Sequence, residues 1–298
     1  MYKRKNISNI VLHAVFIVIC ILCIVPFLLI FISSFTDETA LRMNGYSFFP
    51  EKWSTYAYTY ILAGNGSIQV LHAYIVSIMI TLIGTTVGIL LTIMFAYPLS
   101  RKDLPHRNLF GFFVYFTMLF HGGLVPTYMM WTNIFHIKNT YFALLIPGLL
   151  LNGFYIIMMR TYFASSIPAE LIEAAKIDGG TELKILFNVI IPLSKPMVAT
   201  LAFMIGLNYW NDWQNGLYYA TDSTYFSIQN VLNRMLQDVQ FLSSAAAAQS
   251  GMAIGSTNLP TTGVRMSVAV IGLIPVLIIY PFFQKYLVKG IMIGGVKG

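Results

Sequence analysis

Charge is what this sequence has least of. Of its 298 residues only 10% are Asp, Glu, Lys or Arg, where a soluble domain carries about a quarter. The deficit goes with 57% hydrophobic residues and a mean hydropathy of +0.71. Together these exclude an ordinary soluble domain and make the chain an integral membrane protein. Cysteine is almost missing too: Cys20 and Cys23 are the only two, inside an apolar run. Their C-x-x-C spacing suits redox or zinc chemistry in a soluble chain, but no third Cys or His accompanies them, so they read as apolar filler and no metal site is expected. H-E-x-x-H, G-x-S-x-G and the dipeptide Gly-Lys of a phosphate-binding P-loop are absent. No catalytic residue is therefore assigned, and any ATP spent must be split by a partner. The net charge of +7 invites a nucleic-acid reading, but the basic residues fall between apolar runs. That is a topology signal, and no nucleic-acid partner is expected.

What is present is a series of long apolar runs. Ile10 to Ile32 follows the basic Tyr2–Lys5 segment. It exceeds the 7–15-residue core of a secretory signal and no A-x-A site follows, so it is a retained span. Further charge-free runs cover Ala73–Leu99, Leu109–Met130, Asn139–Met159, Met197–Asn211 and Met266–Phe283. The expected fold is an all-α integral membrane protein, a single transmembrane domain over 1–298. Its six spans lie near 10–32, 73–99, 109–130, 139–160, 196–217 and 266–284, with a connecting region at 166–192 and an outer loop at 218–265. The breakers Pro26, Pro126, Pro147, Gly148, Gly206, Gly272 and Pro275 are tolerable where neighbouring helices re-satisfy the backbone. Gly84-x-x-x-Gly88 offers a small-residue packing face.

The basic residues orient these spans. With the N-terminus inside, Lys3, Arg4, Lys5, Arg101, Lys102, Arg107, Arg160, Lys176, Lys184, Lys195, Lys285, Lys289 and Lys297 are cytoplasmic; Arg42, Lys52, Lys138, Arg234 and Arg265 are outside. That imbalance obeys the positive-inside rule and puts both termini in the cytoplasm. Outside, Trp53, Tyr56, Tyr58 and Tyr60 suit an interfacial aromatic helix, and a second outer helix is expected near Ile228–Leu242. Ser243–Thr262 is small, uncharged and rich in Gly and Ser, which predicts a loop.

One cytoplasmic stretch is out of character. Pro168–Pro196 is polar and charged between two apolar runs. Pro168 suits the first turn of a helix, Ala169–Ile177 supplies helix formers, Gly179-Gly180 ends that helix, and Thr181 can cap another. On physics alone this is either an interfacial hairpin joining two spans or a docking platform. The residues Glu173-Ala174-Ala175, Asp178-Gly179, Val189, Ile191 and Pro192 then supply a pattern: E-A-A, three residues, Gly, nine residues, and I-x-L-P with conservative changes. The stretch resembles the EAA loop of ABC importer permeases. The W-N-D tract (Trp210, Asn211, Asp212) and the KYLVKGIMIGGVKG tail are similar to the sugar-uptake, MalG-like branch. FHGGLVPTY (120–128) and LPTTGVR (259–265) are similar to its LplC and YtcP type.

That resemblance implies a type I importer permease with a coupling helix between spans four and five. Glu173 would contact the ATPase, Ala174 and Ala175 would allow close packing, Asp178-Gly179 would form the bend, and Pro192 would close the motif. It implies a MalF-like second permease as heterodimer partner, two ABC ATPase subunits carrying ATP and Mg, an extracytoplasmic solute-binding protein, and an oligosaccharide substrate. This chain would bind no cofactor directly, contacting lipid in the bacterial cell membrane. The Ser243–Thr262 loop would reach into the binding protein, with Ala245, Gln249, Gly251 and Gly255 as contact candidates; a plain connector is the alternative.

For the substrate path, Asn208, Asn211, Asp212 and Asn215 fall at i, i+3, i+4, i+7 and would share one helix face. Trp210 and Trp213 lie among them, and Asn152 sits in span four. Polar side chains at membrane depth face a cavity; the alternative is an interfacial cap with Trp as a belt. His121 and Asn152 equally suit interhelical hydrogen bonds. An ion-coupled secondary transporter needs ionisable groups within spans, and the charge-free runs hold none. An ABC permease for a non-sugar solute is the nearer alternative.

Overall fold

In the computed structural model the described residues are 2–62, 66–242 and 261–293. The regular elements among them are helical, and the one isolated β-bridge pairs Thr36 with Trp53. In chain order they are α1 (Tyr2–Ser34), α2 (Glu38–Asn44), α3 (Tyr56–Leu62), α4 (Gly66–Ser100), α5 (Arg107–Leu119), α6 (Leu124–Met129, running on as a π turn through Ile134), α7 (Tyr141–Leu145), α8 (Gly153–Ser166), α9 (Ala169–Ile177), α10 (Glu182–Ile185), a π turn Leu186–Ile190, α11 (Ile191–Leu193), α12 (Lys195–Asn211), α13 (Gln214–Tyr219), a 3-10 turn Ser223–Tyr225, α14 (Ile228–Leu242) and α15 (Thr261–Ile293).

Among the described residues three helices are long and apolar enough to cross a membrane: Asn9–Ser34, Val70–Ser100 and Thr262–Leu287. Two bent pairs raise this to as many as five, Arg107–Leu119 with Leu124–Ile134 at 108° and Glu182–Leu193 with Lys195–Tyr219 at 86°. The runs expected as spans three to five are interrupted rather than straight; the 86° bend lies just ahead of span five, whose own break follows Asn211. Span three breaks at 120–123, where Phe120 is extended and Gly123 has φ +85°, a conformation glycine reaches without a Cβ penalty. The fourth run, 139–160, divides into α7 and α8 around Pro147 and Gly148. Asn152 caps α8 by accepting from Phe154 N at 2.9 Å.

The chain divides into two compact units. One comprises 1–70 with 232–274, the other 71–231 with the chain from Pro275 on. In the first, the apolar part of α1 is 0% buried, and Cys20 and Cys23 are free thiols on its exposed surface. The aromatic helix expected outside is α3, whose Tyr58 hydroxyl bonds Ser34 Oγ at 2.8 Å. In the second, Val76, Ile80, Ile93 and Ala96 of α4 pack with Ile156, Met159 and Phe163 of α8 and Met197, Leu201 and Ile205 of α12. The Gly84/Gly88 face serves this contact. A Cβ on Gly84 would run into the Tyr209 ring, and one on Gly88 would meet Leu150 O at 3.3 Å and Ile205 at 3.4 Å.

Candidate functional site

The region singled out by its charge forms a helix–turn–helix surface on α9 and α10. Pro168 stands one place earlier than expected, as N-cap with ψ 138°, and the helix starts at Ala169. Proline's ring biases the preceding residue away from the helical region, so Ile167, at ψ 116°, ends α8 extended just before it. Glu173 and Ala174 are exposed, Ala175 is half-buried, and Ile177 is 86% exposed. At the turn, Gly180 N donates to Ala175 O at 2.9 Å and Gly179 N to Lys176 O at 3.0 Å, with Gly179 at φ +78°. This is a Schellman C-terminus, which satisfies two carbonyls at the end of α9 and needs a residue that tolerates the left-handed region. Gly180 is required for a different reason: a Cβ there would sit 2.7 Å from Ala175 O and 3.1 Å from Ile185 Cγ1. Asp178 is exposed ahead of the turn. Thr181 caps α10 as expected, accepting from Lys184 N at 3.4 Å. Pro192, exposed, lies in α11 just before the 86° bend into α12.

A polar network behind the turn ties it to the end of α4. Lys176 Nζ reaches Glu182 Oε1 at 2.7 Å and Asp103 Oδ2 at 3.6 Å. The Tyr97 hydroxyl donates to Glu182 Oε2 at 2.7 Å. Arg101 holds Asp103 through two bonds, Nε to Oδ1 at 2.8 Å and Nη2 to Oδ2 at 2.7 Å. That two-point contact holds the Asp103 carboxyl well below its ordinary pKa, and Lys176 adds to it. Tyr97, Arg101 and Glu182 also line a cleft of about 390 Å³ with Met94, Leu104 and Leu186. The sequence offers no sign of the role of Tyr97, and it shows Gly180 only as part of the Gly-Gly that ends α9. The readable signal was the opposite charge of Lys176 and Glu182 on either side of Gly-Gly.

The W-N-D tract departs from the expected single helix face. α12 ends at Asn211, and Asp212 is extended at ψ 113°, so Asn208, Asn211, Asp212 and Asn215 do not share one helix. The cause is local: Asp212 Oδ1 accepts from Asn215 N at 3.3 Å and starts α13 afresh. Three side chains around this break fasten the neighbouring one in 146–152. Asn208 Nδ2 donates to Tyr155 Oη at 2.8 Å, Tyr209 Oη to Leu145 O at 2.8 Å, and Asn215 Nδ2 to Pro147 O at 3.0 Å. Trp210 is buried with Tyr74 beside it at 6.0 Å. Asn211 and Trp213 are exposed, Trp213 at 38%. The candidates Ala245, Gln249, Gly251 and Gly255 lie outside the described residues.

Among the described residues the elements are helical, with an exposed helix–glycine–helix turn and bent apolar spans, the build of a membrane component. The chain belongs to the family described as binding-protein-dependent transport system inner membrane component, whose profile matches residues 88–293. Among its relatives in Bacillus subtilis, protein LplC is 36% identical over 92% of this chain and 90% of its own length. The polygalacturonan/rhamnogalacturonan transport system permease protein YtcP is 33% identical over 99% of this chain and 100% of its own. A crystal structure of a bacterial ABC transporter involved in import of the acidic polysaccharide alginate contains a chain of TM-score 0.77 and 29% identity, covering 95% of this chain and 97% of that one.

Proposed function

We propose that this chain is one permease subunit of an ABC importer that brings an oligosaccharide into the cytoplasm. It pairs with a second permease, is driven by two ATPase subunits, and receives substrate from an extracytoplasmic solute-binding protein. The chain crosses the membrane six times as one permease domain, both termini inside, with α9 as coupling helix between spans four and five. The observation that carries this reading is the exposed, rigidly closed turn at Gly179-Gly180, in a chain without a P-loop. Glu173, Ala174, Ala175, Asp178 and Gly179 form the face offered to an ATPase cleft. Lys176, Glu182 and Tyr97 pass its displacement to α4, so that nucleotide-driven closure rocks the spans. ATP and Mg belong to the ATPase. The sugar-polymer substrates in the names of YtcP and the alginate importer favour an acidic oligosaccharide as cargo. Asn211 and Trp213, exposed at the break after α12, are the foremost candidates to line its path, and Asn152, Asn208, Trp210 and Asp212 shape the same region.

The test is uptake by proteoliposomes holding this chain, a second permease and the ATPase pair, with binding protein and labelled oligogalacturonide outside. ATP inside must drive uptake and a proton gradient must not. Uptake driven by the gradient without ATP would overturn the proposal.

A further inference from the structure

The LPTTGVR stretch at 259–265 has no part in the coupling surface or the candidate path. Its Thr261-Thr262-Gly263 opens α15. A carboxylate from another segment closes that end: Thr262 N donates to Glu38 Oε1 at 3.1 Å and Gly263 N to Glu38 Oε2 at 2.8 Å. Glu38 opens α2, its side chain is only 12% exposed, and Arg42 Nε lies 3.2 Å from Oε1. A half-enclosed carboxylate is stable there because both oxygens accept N–H groups at the positive end of a helix, with a guanidinium alongside. Gly263 makes the room. A Cβ at that position would lie 3.3 Å from Glu38 Oε2 and 3.4 Å from Ala57 Cβ. One turn further on, buried Ser267 Oγ donates to Ser34 O at 3.3 Å. All these residues belong to one compact unit. A helix is ordinarily capped by the residue just before it. This cap comes from 224 residues away, so it fastens two segments as well as satisfying two amides.

We propose that Glu38 is a positioning residue of the transport cycle. It clamps the segment 35–62, with α2 and α3, to the end of α15 that the importer topology places outside. A binding protein docking on that segment then moves the last span with it. The proposal rests on the importer reading given above. Without the clamp the two segments answer docking separately, and the binding protein's signal reaches the ATPase weakly.

The test uses the full assembly in proteoliposomes, with the solute-binding protein loaded with oligogalacturonide as probe. Glu38→Gln keeps the size of the side chain but turns one acceptor into a donor facing an amide. Gly263→Ala keeps the carboxylate and pushes a methyl group against it. In both variants, ATPase stimulation by loaded binding protein falls about fivefold or more while basal ATPase activity is unchanged. The double variant is no worse than the stronger single one, because both act on one contact. Glu38→Asp recovers part of the stimulation. Amide hydrogen exchange at Thr262 and Gly263 accelerates in Glu38→Gln, a readout that needs no partner. Stimulation at the wild-type level with unchanged exchange overturns the clamp, and so does an equal fall in basal and stimulated activity. Should Glu38→Gln fail to insert, Gly263→Ala decides alone on the same criteria. A wild-type assembly that no binding protein stimulates overturns the importer reading instead, and the exchange measurement still decides the contact.

Discussion

Two breaks punctuate the polar parts of this chain, and they are built in opposite ways. The turn at Asp178–Thr181 is exposed, uses two glycines, one at φ +78°, and is braced by charged side chains. The break at Asp212–Trp213 uses no glycine. Apart from the Asp212 carboxylate that starts α13, it is held by uncharged side chains that donate to Tyr155 Oη and to the carbonyls of Leu145 and Pro147, two of them, Tyr209 and Asn215, themselves buried. An exposed turn whose own amides and carbonyls are satisfied can be pushed as one body without unfolding. A break that satisfies its neighbour's backbone cannot shift without orphaning polar groups, which is costly where they are buried. On the function proposed above, one is a handle and the other is a joint in the packing.

The largest effect expected is on the handle. Gly179→Pro fixes φ near −65° and removes the N–H that bonds Lys176 O, so the exposed turn opens locally while the buried packing of the spans is untouched. Transport should fall to background while the chain still inserts and its thermal midpoint in detergent changes little. ATP-driven uptake at the wild-type rate would remove the coupling assignment. Gly84→Ala should do the reverse. Its methyl group meets the Tyr209 ring, which is 4% exposed and tied to Leu145 O. Overpacking of that kind costs about 1–3 kcal/mol. Here the thermal midpoint should drop by several degrees, with transport per folded molecule near normal.

A finer comparison separates packing from path within the second break. Asn208→Ala removes the bond to Tyr155 Oη and should cost about 1 kcal/mol of stability, leaving the substrate concentration for half-maximal uptake unchanged. Trp213→Ala should leave stability alone and raise that concentration several-fold, because aromatic faces contribute to carbohydrate contact through their apolar area. If the two variants exchange these phenotypes, the path runs along α12 and the break is not merely a joint.

The contrast also explains what the sequence made readable. Pro168, Gly179-Gly180 and Thr181 act on their immediate neighbours, so helix, turn and second helix were visible in the residues themselves, out by one position at Pro168. The aromatic α3 and the limits of α14 were visible for the same reason. The tract at 208–215 was misread as one helix face because its bonds run to Tyr155, Leu145 and Pro147, which no periodicity reveals. The Asp212 carboxylate placed to cap Asn215 was a local signal that the spacing pattern concealed. Tyr97 and Glu38 were beyond reach for the reason that makes them interesting: each joins segments far apart in the chain.

The smallest expected effect tests whether the charges behind the handle brace it or only decorate it. Asp103 is 59% exposed yet faces both Arg101 and Lys176, and its folded pKa is held below the ordinary carboxylate value. A carboxylate lowered in this way contributes stability that is fully present above its unfolded pKa, about 4, and is lost as pH falls through the lower folded value. The exposed pairs should be worth about 0.2–1 kcal/mol after solvent screening. Wild type should therefore exceed Asp103→Asn in thermal midpoint by a small, constant margin at pH 5 to 7, and the margin should shrink steadily below pH 4. A margin that persists into acid would show that Asp103 acts through hydrogen bonds its amide can also make. A missing margin at neutral pH would leave the turn held by the Lys176–Glu182–Tyr97 contacts alone. In that case Glu182→Gln, which weakens both of its bonds at once, should loosen the turn where Asp103→Asn does not, and amide exchange at Gly180 would register the difference.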